Sequence, residues 1–198
     1  MLVVVEGLHD IAFLRGLSQR LSAEDSNLPQ LAQMEARGEL IFLPTGGSDL
    51  ASWSQRLAPL GCAEFHLYDR EQSPETEVRR QVIAQVLQRP RCHAVLTGKR
   101  TLENYLHPTA IQRATGMSLA FSAHEDVAAL FARQRWQDSQ PPVSWDQLSR
   151  RAQKRLANHA KRVLNGPAVM YMSRALLGES DAAGEVYAWY RAIKRLAE

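Results

Sequence analysis

The sequence predicts an α/β fold: a four-stranded parallel sheet flanked by helices and followed by a helical C-terminal region. Three observations carry this. Four short apolar runs, at residues 2–5, 39–43, 63–68 and 91–96, alternate with helical patterns. The first run, Leu2-Val-Val-Val5, has the unbroken apolar form of a strand buried on both faces, as strands of parallel sheets are. From Pro108 onward the recurring patterns are helical.

The elements follow in order. After the first strand, Gly7 permits a tight turn, and Phe13, Leu14, Leu17 and Leu21 then fall on one face of a helix. Ser26-Asn-Leu-Pro29 opens a short second helix that Gly38 ends. The second strand stops at Pro44-Thr-Gly-Gly-Ser48, a turn whose Gly46 and Gly47 let the backbone approach a phosphate closely. The plainer alternative is a strand-to-helix connection with Ser48 capping a helix over 49–60. The third strand runs into Asp69-Arg-Glu71, and Pro74, Glu75 and Glu77 open a helix reaching Leu87 and closed by Pro90. The fourth leads into a short segment, Thr97 to Leu106, bounded by Pro108. Ser122-Ala-His-Glu125 and Ser144-Trp-Asp-Gln147 have capping-box form, each ahead of an amphipathic helix. Asn165-Gly-Pro167 and Gly178 divide the remainder into two more helices, with Met170, Met172, Tyr187, Trp189 and Tyr190 as packing residues.

Composition narrows the function classes. At 198 residues and 45% hydrophobic content the chain can bury one core with a helical appendage. The division expected is an α/β domain over 1–110 and a helical extension over 111–198 packed on it. No run approaches the ~18 apolar residues of a membrane span, and no signal-peptide start is present, so a cytoplasmic location and no membrane partner are expected. Cys62 and Cys92 lack metal-ligand spacing and read as small core residues of a reduced compartment. The net charge of +3 is modest, but two blocks are purely basic. One holds Arg79, Arg80, Arg89, Arg91, Lys99 and Arg100, the other Arg150, Arg151, Lys154, Arg155, Lys161, Arg162 and Arg174. Such blocks suit a polyanion, although a solvated helix face accounts for either taken singly. No Lys-Ser/Thr pair follows the Gly46-Gly47 turn, so it is not a nucleotide P-loop and no ATP site is expected.

Chemistry concentrates where strands end. Ligands bind beyond the carboxyl ends of strands in open α/β sheets, and Glu6, Asp69, Glu71 and Glu103 follow strands there, with Asp10 at the start of the first helix. A solvated Glu6 and an Asp10 serving only the helix dipole is the alternative. Carboxylates held within a few Å repel by roughly 4 kcal/mol per close pair at an effective dielectric of 20. Divalent cations cancel that charge, and hard oxygen donors favour Mg²⁺ or Mn²⁺. Two such ions framed by Lys and Arg suit phosphodiester hydrolysis.

These residues carry a resemblance. Val5-Glu6-Gly7-Leu8-His9-Asp10 resembles the first TOPRIM motif, Leu67-Tyr68-Asp69-Arg70-Glu71 is similar to the second, usually Asp-x-Asp, and Leu102-Glu103-Asn104-Tyr105-Leu106 resembles the Glu-Asn-Tyr segment of the overcoming-lysogenization-defect (OLD) family nucleases. The Thr45-Gly46-Gly47 turn also resembles that family, and the match covers roughly residues 1 to 110 with weaker similarity around Ala160-Lys161-Arg162. The resemblance implies a TOPRIM-like Rossmannoid fold and a metal-dependent DNA endonuclease or nickase using two Mg²⁺ or Mn²⁺ ions. By it, Glu6 ligates metal and acts as a base, Asp10, Asp69 and Glu103 are metal ligands, and Glu71 takes the place of a second Asp with its carboxylate one bond further out. Lys161 would stabilise the transition state. Nucleic-acid contacts would come from Gly46, Gly47, Lys99, Arg100, Arg150, Arg151, Lys154, Arg155 and Arg162.

OLD proteins carry an ATPase before this domain, whereas here Met1 falls directly on the first strand and no Walker sequence occurs. A stand-alone module, a separately encoded ATPase partner and a fragment of a longer chain all accommodate that. Two other functions fit the same pattern: processing of structured RNA, and a non-catalytic nucleic-acid-binding module. The family suggests a setting in phage defence.

Overall fold

A computed structural model of the chain describes residues 1–47 and 49–198. Four parallel strands form one sheet in the order β2-β1-β3-β4: β1 Leu2–Val5, β2 Ile41–Pro44, β3 Glu64–Tyr68 and β4 Cys92–Leu96. Val3 pairs with Phe42 on one side and Phe65 on the other, and Tyr68 pairs with Leu96. Because the strands are parallel, all four carboxyl ends share one edge. The strands match the expected runs except that β2 begins two residues later and ends one later, at Pro44, and β3 and β4 begin one later. The proposed cap at Ser48 lies outside the described residues.

Each face of the sheet is covered by helices. On one face Val3, Val5, Phe65 and Leu67 meet α1 (Leu8–Ser22), which supplies the fully buried Phe13, Leu14, Leu17 and Leu21. α2 (Leu31–Ala36) adds Leu31 and Met34 to the same core. On the other face α3 (Leu50–Leu57) and α4 (Glu75–Val86) enclose a smaller cluster of Leu50, Tyr68, Val82, Val86 and Ala94. That face of β3 is otherwise polar. Glu64 accepts a forked pair from Arg89, and His66 bridges Glu64 at 2.6 Å and Tyr68 at 2.7 Å, so the Glu64 carboxylate, the His66 ring and the Tyr68 hydroxyl are satisfied.

The C-terminal helices join the larger core rather than a second one. α5 (Pro108–Thr115), α6 (Val127–Asp138), α7 (Arg150–Val163), α8 (Arg174–Ser180) and α9 (Glu185–Ala197) contribute Ile111, Phe131, Ala160, Leu177, Trp189 and Tyr190 to it. The Tyr190 hydroxyl donates to the Leu14 carbonyl at 3.0 Å, tying α9 to α1. Trp189 packs edge-on against Tyr105 at 5.0 Å.

Four local expectations are corrected. Gly178 lies inside α8, and the break falls at Gly184, whose φ of 71° suits glycine. Asn165-Gly-Pro167 does not separate two α-helices cleanly; α7 runs into a π-helical turn over Leu164–Ala168, followed by a short 3-10 turn. Met170 is 42% exposed, whereas Met172, Trp189 and Tyr190 are buried. Ser122 donates its backbone N–H to the Glu125 carboxylate, but Asp126 caps α6, accepting from the Ala129 N–H. Ser144, by contrast, has its capping box, which closes a 3-10 turn over Trp145–Gln147 before Ser149 caps α7.

Candidate active site at the carboxyl edge of the sheet

Glu6 leaves β1 and turns toward β3, where its Oε1 accepts from the Asp69 N–H at 3.1 Å. Asp10 stands in the first turn of α1 and accepts from the Gly7 N–H at 2.7 Å. It therefore serves the helix start with one oxygen while the other is free for the site. Gly46 and Gly47, with φ of 82° and 72°, pass beside Glu6; a Cβ on Gly47 would come within 3.5 Å of Glu6 Oε2. Glu103 comes from a 3-10 turn over Leu102–Tyr105. Neighbouring residues fix that turn. Thr101 N–H donates to Asn104 Oδ1 at 3.0 Å, Asn104 Nδ2 donates to the Ser122 and Glu125 carbonyls, and the Tyr105 hydroxyl donates to Glu185 at 2.9 Å.

The five acids divide into two groups. Glu6 and Glu71 are paired with arginines. Arg79 of α4, itself buried, grips Glu6 with Nε and Nη2, both at 2.8 Å, and Arg100 stands 3.5 Å from Glu71. Glu71 takes a φ of 50°, uncommon outside glycine, and is held there by its N–H bond to the Arg100 carbonyl.

Asp10, Asp69 and Glu103 form the inner group, 8%, 7% and 1% exposed. Among the described residues no hydrogen-bond donor reaches the Asp69 carboxylate. Burial pushes the Asp10 carboxyl up to about 7, opposed by the Gly7 N–H and reinforced by Glu103. Burial, then Asp10 and Glu103, hold Asp69 well above the usual carboxylate range. Facing them is Lys161 of α7, 3.7 Å from Glu103 Oε1. Burial works to lower its pKa, but Glu103, Asp69 and Asp10 outweigh it and raise the ammonium above the ordinary lysine value. Asn165, 1% exposed in the π turn, donates to the same Oε1 at 2.6 Å, and its own Oδ1 is buried without a partner.

The fold has a counterpart among solved structures. In fold the chain is similar to the C-terminal region of an OLD protein. That protein is from Xanthomonas campestris pv. campestris. Its C-terminal region, phased with iodine, aligns with a TM-score of 0.52 and 14% identity over 99% of this chain and 94% of that one. The same region phased with platinum aligns with a TM-score of 0.53 at 14% identity, over 99% and 92%. No family model and no curated protein matches the chain.

The OLD-like fold thus spans the helical remainder as well as the sheet, beyond the 110 residues over which the motifs are recognisable. The five acids predicted from sequence meet at one edge, but no three Asp, Glu, His or Cys side chains among the described residues converge as ready-made ligands of one ion. The inner acids nonetheless suit a hard cation. All donors are oxygens, Asp69 lacks a donor, and Mg²⁺ binds through one or two carboxylates while keeping several waters.

The basic candidates separate sharply. Lys99 turns inward, donating to the Asn104 and Ser180 carbonyls and lying 5.1 Å from the centre of the Tyr105 ring. Arg100 is shared by Glu71 and Asp126. Arg79 and Arg89 are spent on Glu6 and Glu64. The first basic block is therefore largely internal counter-charge. On α7, by contrast, Arg150, Arg151, Lys154, Arg155 and Arg162 are exposed, and none has an ion-pair partner among the described residues. At 3.6 residues per turn they and Lys161 fall within an arc of about 140°. Sequence reading missed Arg79 and Asn165 as site residues. A charge count does not distinguish an inward arginine from an outward one, and Asn-Gly-Pro reads as a breaker.

Proposed function

We propose that this chain is a divalent-metal-dependent nuclease that hydrolyses DNA phosphodiester bonds as a nickase or endonuclease. The observation that carries it is the inner group: Asp10, Asp69 and Glu103 buried together, faced by Lys161, at the end of an exposed basic helix face. Asp10, Asp69 and Glu103 would hold Mg²⁺ or Mn²⁺. Such an ion, when bound, cancels carboxylate repulsion, polarises a phosphate oxygen and lowers the pKa of water. Lys161 stays charged at neutral pH and is placed to stabilise negative charge developing on the phosphate. The stripe on α7 offers phosphate contacts over about 18 Å, the rise of about five base pairs at about 3.4 Å each. The TOPRIM and OLD motif resemblance and the OLD-like fold support the same reading.

Supercoiled plasmid incubated with the protein and Mg²⁺ or Mn²⁺ should be nicked. Asp69→Asn and Lys161→Met should each slow nicking by at least about 10²-fold, the scale set by removing a single charge-stabilising group. Plasmid left intact by wild type with both ions sinks the proposal; a structured RNA run in parallel identifies an RNA-processing enzyme instead. A second reading, a nucleic-acid-binding module without catalysis, is favoured by one observation: Arg79 occupies Glu6, the acid that the motif resemblance assigns to metal. DNA retention without nicking would select it.

A further inference from the structure

We propose that the cavity between α6 and α7 receives one unpaired nucleobase of a strand crossing α7, so that the DNA taken by this chain carries an unpaired segment near the phosphate under attack. This rests on the nuclease reading above and names its substrate class. The cavity holds about 210 Å³. Phe131 and Trp136 of α6 and Leu156 and Ala160 of α7 line it, with Arg135 and His159 at its mouth. Phe131 and Ala160 are buried and give it an apolar floor, whereas Arg135 and His159 are exposed. The Trp136 indole N–H donates to the Val143 carbonyl at 3.1 Å, which satisfies its one polar atom and fixes the ring in the wall. The space falls short of the ~300 Å³ at which sites for drug-sized ligands begin. It suits a single planar ring system.

Charge says what carries that ring. No carboxylate lines the cavity, and Arg135 has no ion-pair partner among the described residues. His159 lies about 40° around α7 from Arg155, with Leu156 and Ala160 further on, so the cavity adjoins the basic arc on its Arg155 and Arg162 side. Lys161 faces Glu103 from the other flank of that arc, about 160° from His159. A strand running from the acids to the cavity therefore crosses exposed arginines. The helix it crosses is about 10–12 Å wide, about three nucleotides at about 3.4 Å each. A polyanion that presents a flat ring at each charge is nucleic acid. In a duplex those rings are stacked and paired, so the one in the cavity has to come from an unpaired segment or be turned out of the helix. Aromatic walls with a cationic rim hold such bases by stacking and cation–π contact, with little regard to sequence.

Fluorescence anisotropy in EDTA tests this with two single strands about twelve nucleotides long, one of thymidylate and one with the same phosphates but no bases. Thymidylate should bind the full chain at least about fivefold more tightly, the lower end of what stacking one base contributes. Trp136→Leu, which keeps the wall apolar, should remove that advantage and leave the affinity for the abasic strand, set by phosphate contacts, within about twofold. His159→Ala, at an exposed position where folding is not at risk, should shrink the advantage at least about twofold. Wild type binding both strands equally, or a Trp136→Leu variant folded by circular dichroism that keeps the full preference, overturns the cavity's role and leaves the nuclease reading standing. Binding of neither strand nor of a duplex of the same length overturns both. With Mn²⁺, a duplex holding a few unpaired nucleotides should be cleaved at least about fivefold faster than a fully paired one by wild type and no faster by Trp136→Leu; equal rates in wild type overturn the substrate assignment. An acidic, tryptophan-bearing peptide that binds wild type more tightly than thymidylate does and Trp136→Leu not at all, or a dimer in sedimentation that this variant dissolves, would give the cavity to a protein partner or a second copy and overturn the proposal.

Discussion

Asp10 couples the site to stability through its raised pKa. The unfolded chain loses this proton near 3.8 and the folded chain near 7. Between those values the folded state binds more protons than the unfolded one, so metal-free stability should fall as pH rises across that window and level off above it. At about 1.4 kcal/mol per pH unit the loss is on the order of a few kcal/mol. Asp10→Asn keeps an oxygen to accept the Gly7 N–H and removes the charge. In EDTA at pH 7.5 it should melt about 5 °C or more above wild type, and at pH 4 the difference should shrink. Mn²⁺ should then raise the wild-type Tm more than the variant's. A metal-free Tm that is flat from pH 4 to 7 would show that burial does not hold the Asp10 proton as argued.

At the scale of elements, α7 has two chemistries on one face. Its inner end places Lys161 against Glu103, and its outer turns present Arg150, Arg151, Lys154 and Arg155 to solvent with Arg162 beside the site. If phosphates ride that face, Arg151→Gln/Arg155→Gln/Arg162→Gln should weaken DNA binding and reduce the slope of log K against log salt by about 3, near 0.9 for each phosphate no longer neutralised. Mn²⁺ stoichiometry should be unchanged, because none of the three touches the acids. An unaltered salt slope would remove α7 from the interface.

Elements also set what could be read beforehand. The strands were legible because an apolar run ending in a charge has few other uses, and the helix of Phe13, Leu14, Leu17 and Leu21 because its period admits one buried face. Acids at strand ends were legible for the same reason, since parallel topology gives those ends a common edge. Arg79 was not, because nothing local distinguishes a side chain that enters a site from one that leaves it. Gly178 misled because a glycine inside a helix costs only about 1 kcal/mol, which packing of Leu177 readily offsets.

At the scale of the whole molecule, the site is assembled by the far end of the chain. Asp10 comes from the first turn of α1 and Asp69 from the end of β3, whereas Lys161 and Asn165 come from α7 and the turn after it, and α9 holds the segment between. Glu185 of α9 accepts from the Gly98 N–H at 2.8 Å and from the Tyr105 hydroxyl, two residues after Glu103. Trp189 packs on that same Tyr105 ring. The largest core runs without interruption from Val3 to Ile193, so thermal unfolding should be one transition, with the helices after residue 110 melting together with the sheet. Trp189→Ala should cost about 3–5 kcal/mol, the range for emptying a buried aromatic site. Because its cavity opens against Tyr105, Mn²⁺ affinity should fall in the same variant at temperatures where it remains folded. Glu185→Gln separates the two effects: it keeps the packing, and should leave Tm within a few degrees while loosening the turn that aims Glu103. Two resolved transitions, the first silent to Mn²⁺ binding, would make the helical region an independent body and leave Lys161 without a fixed place opposite the acids.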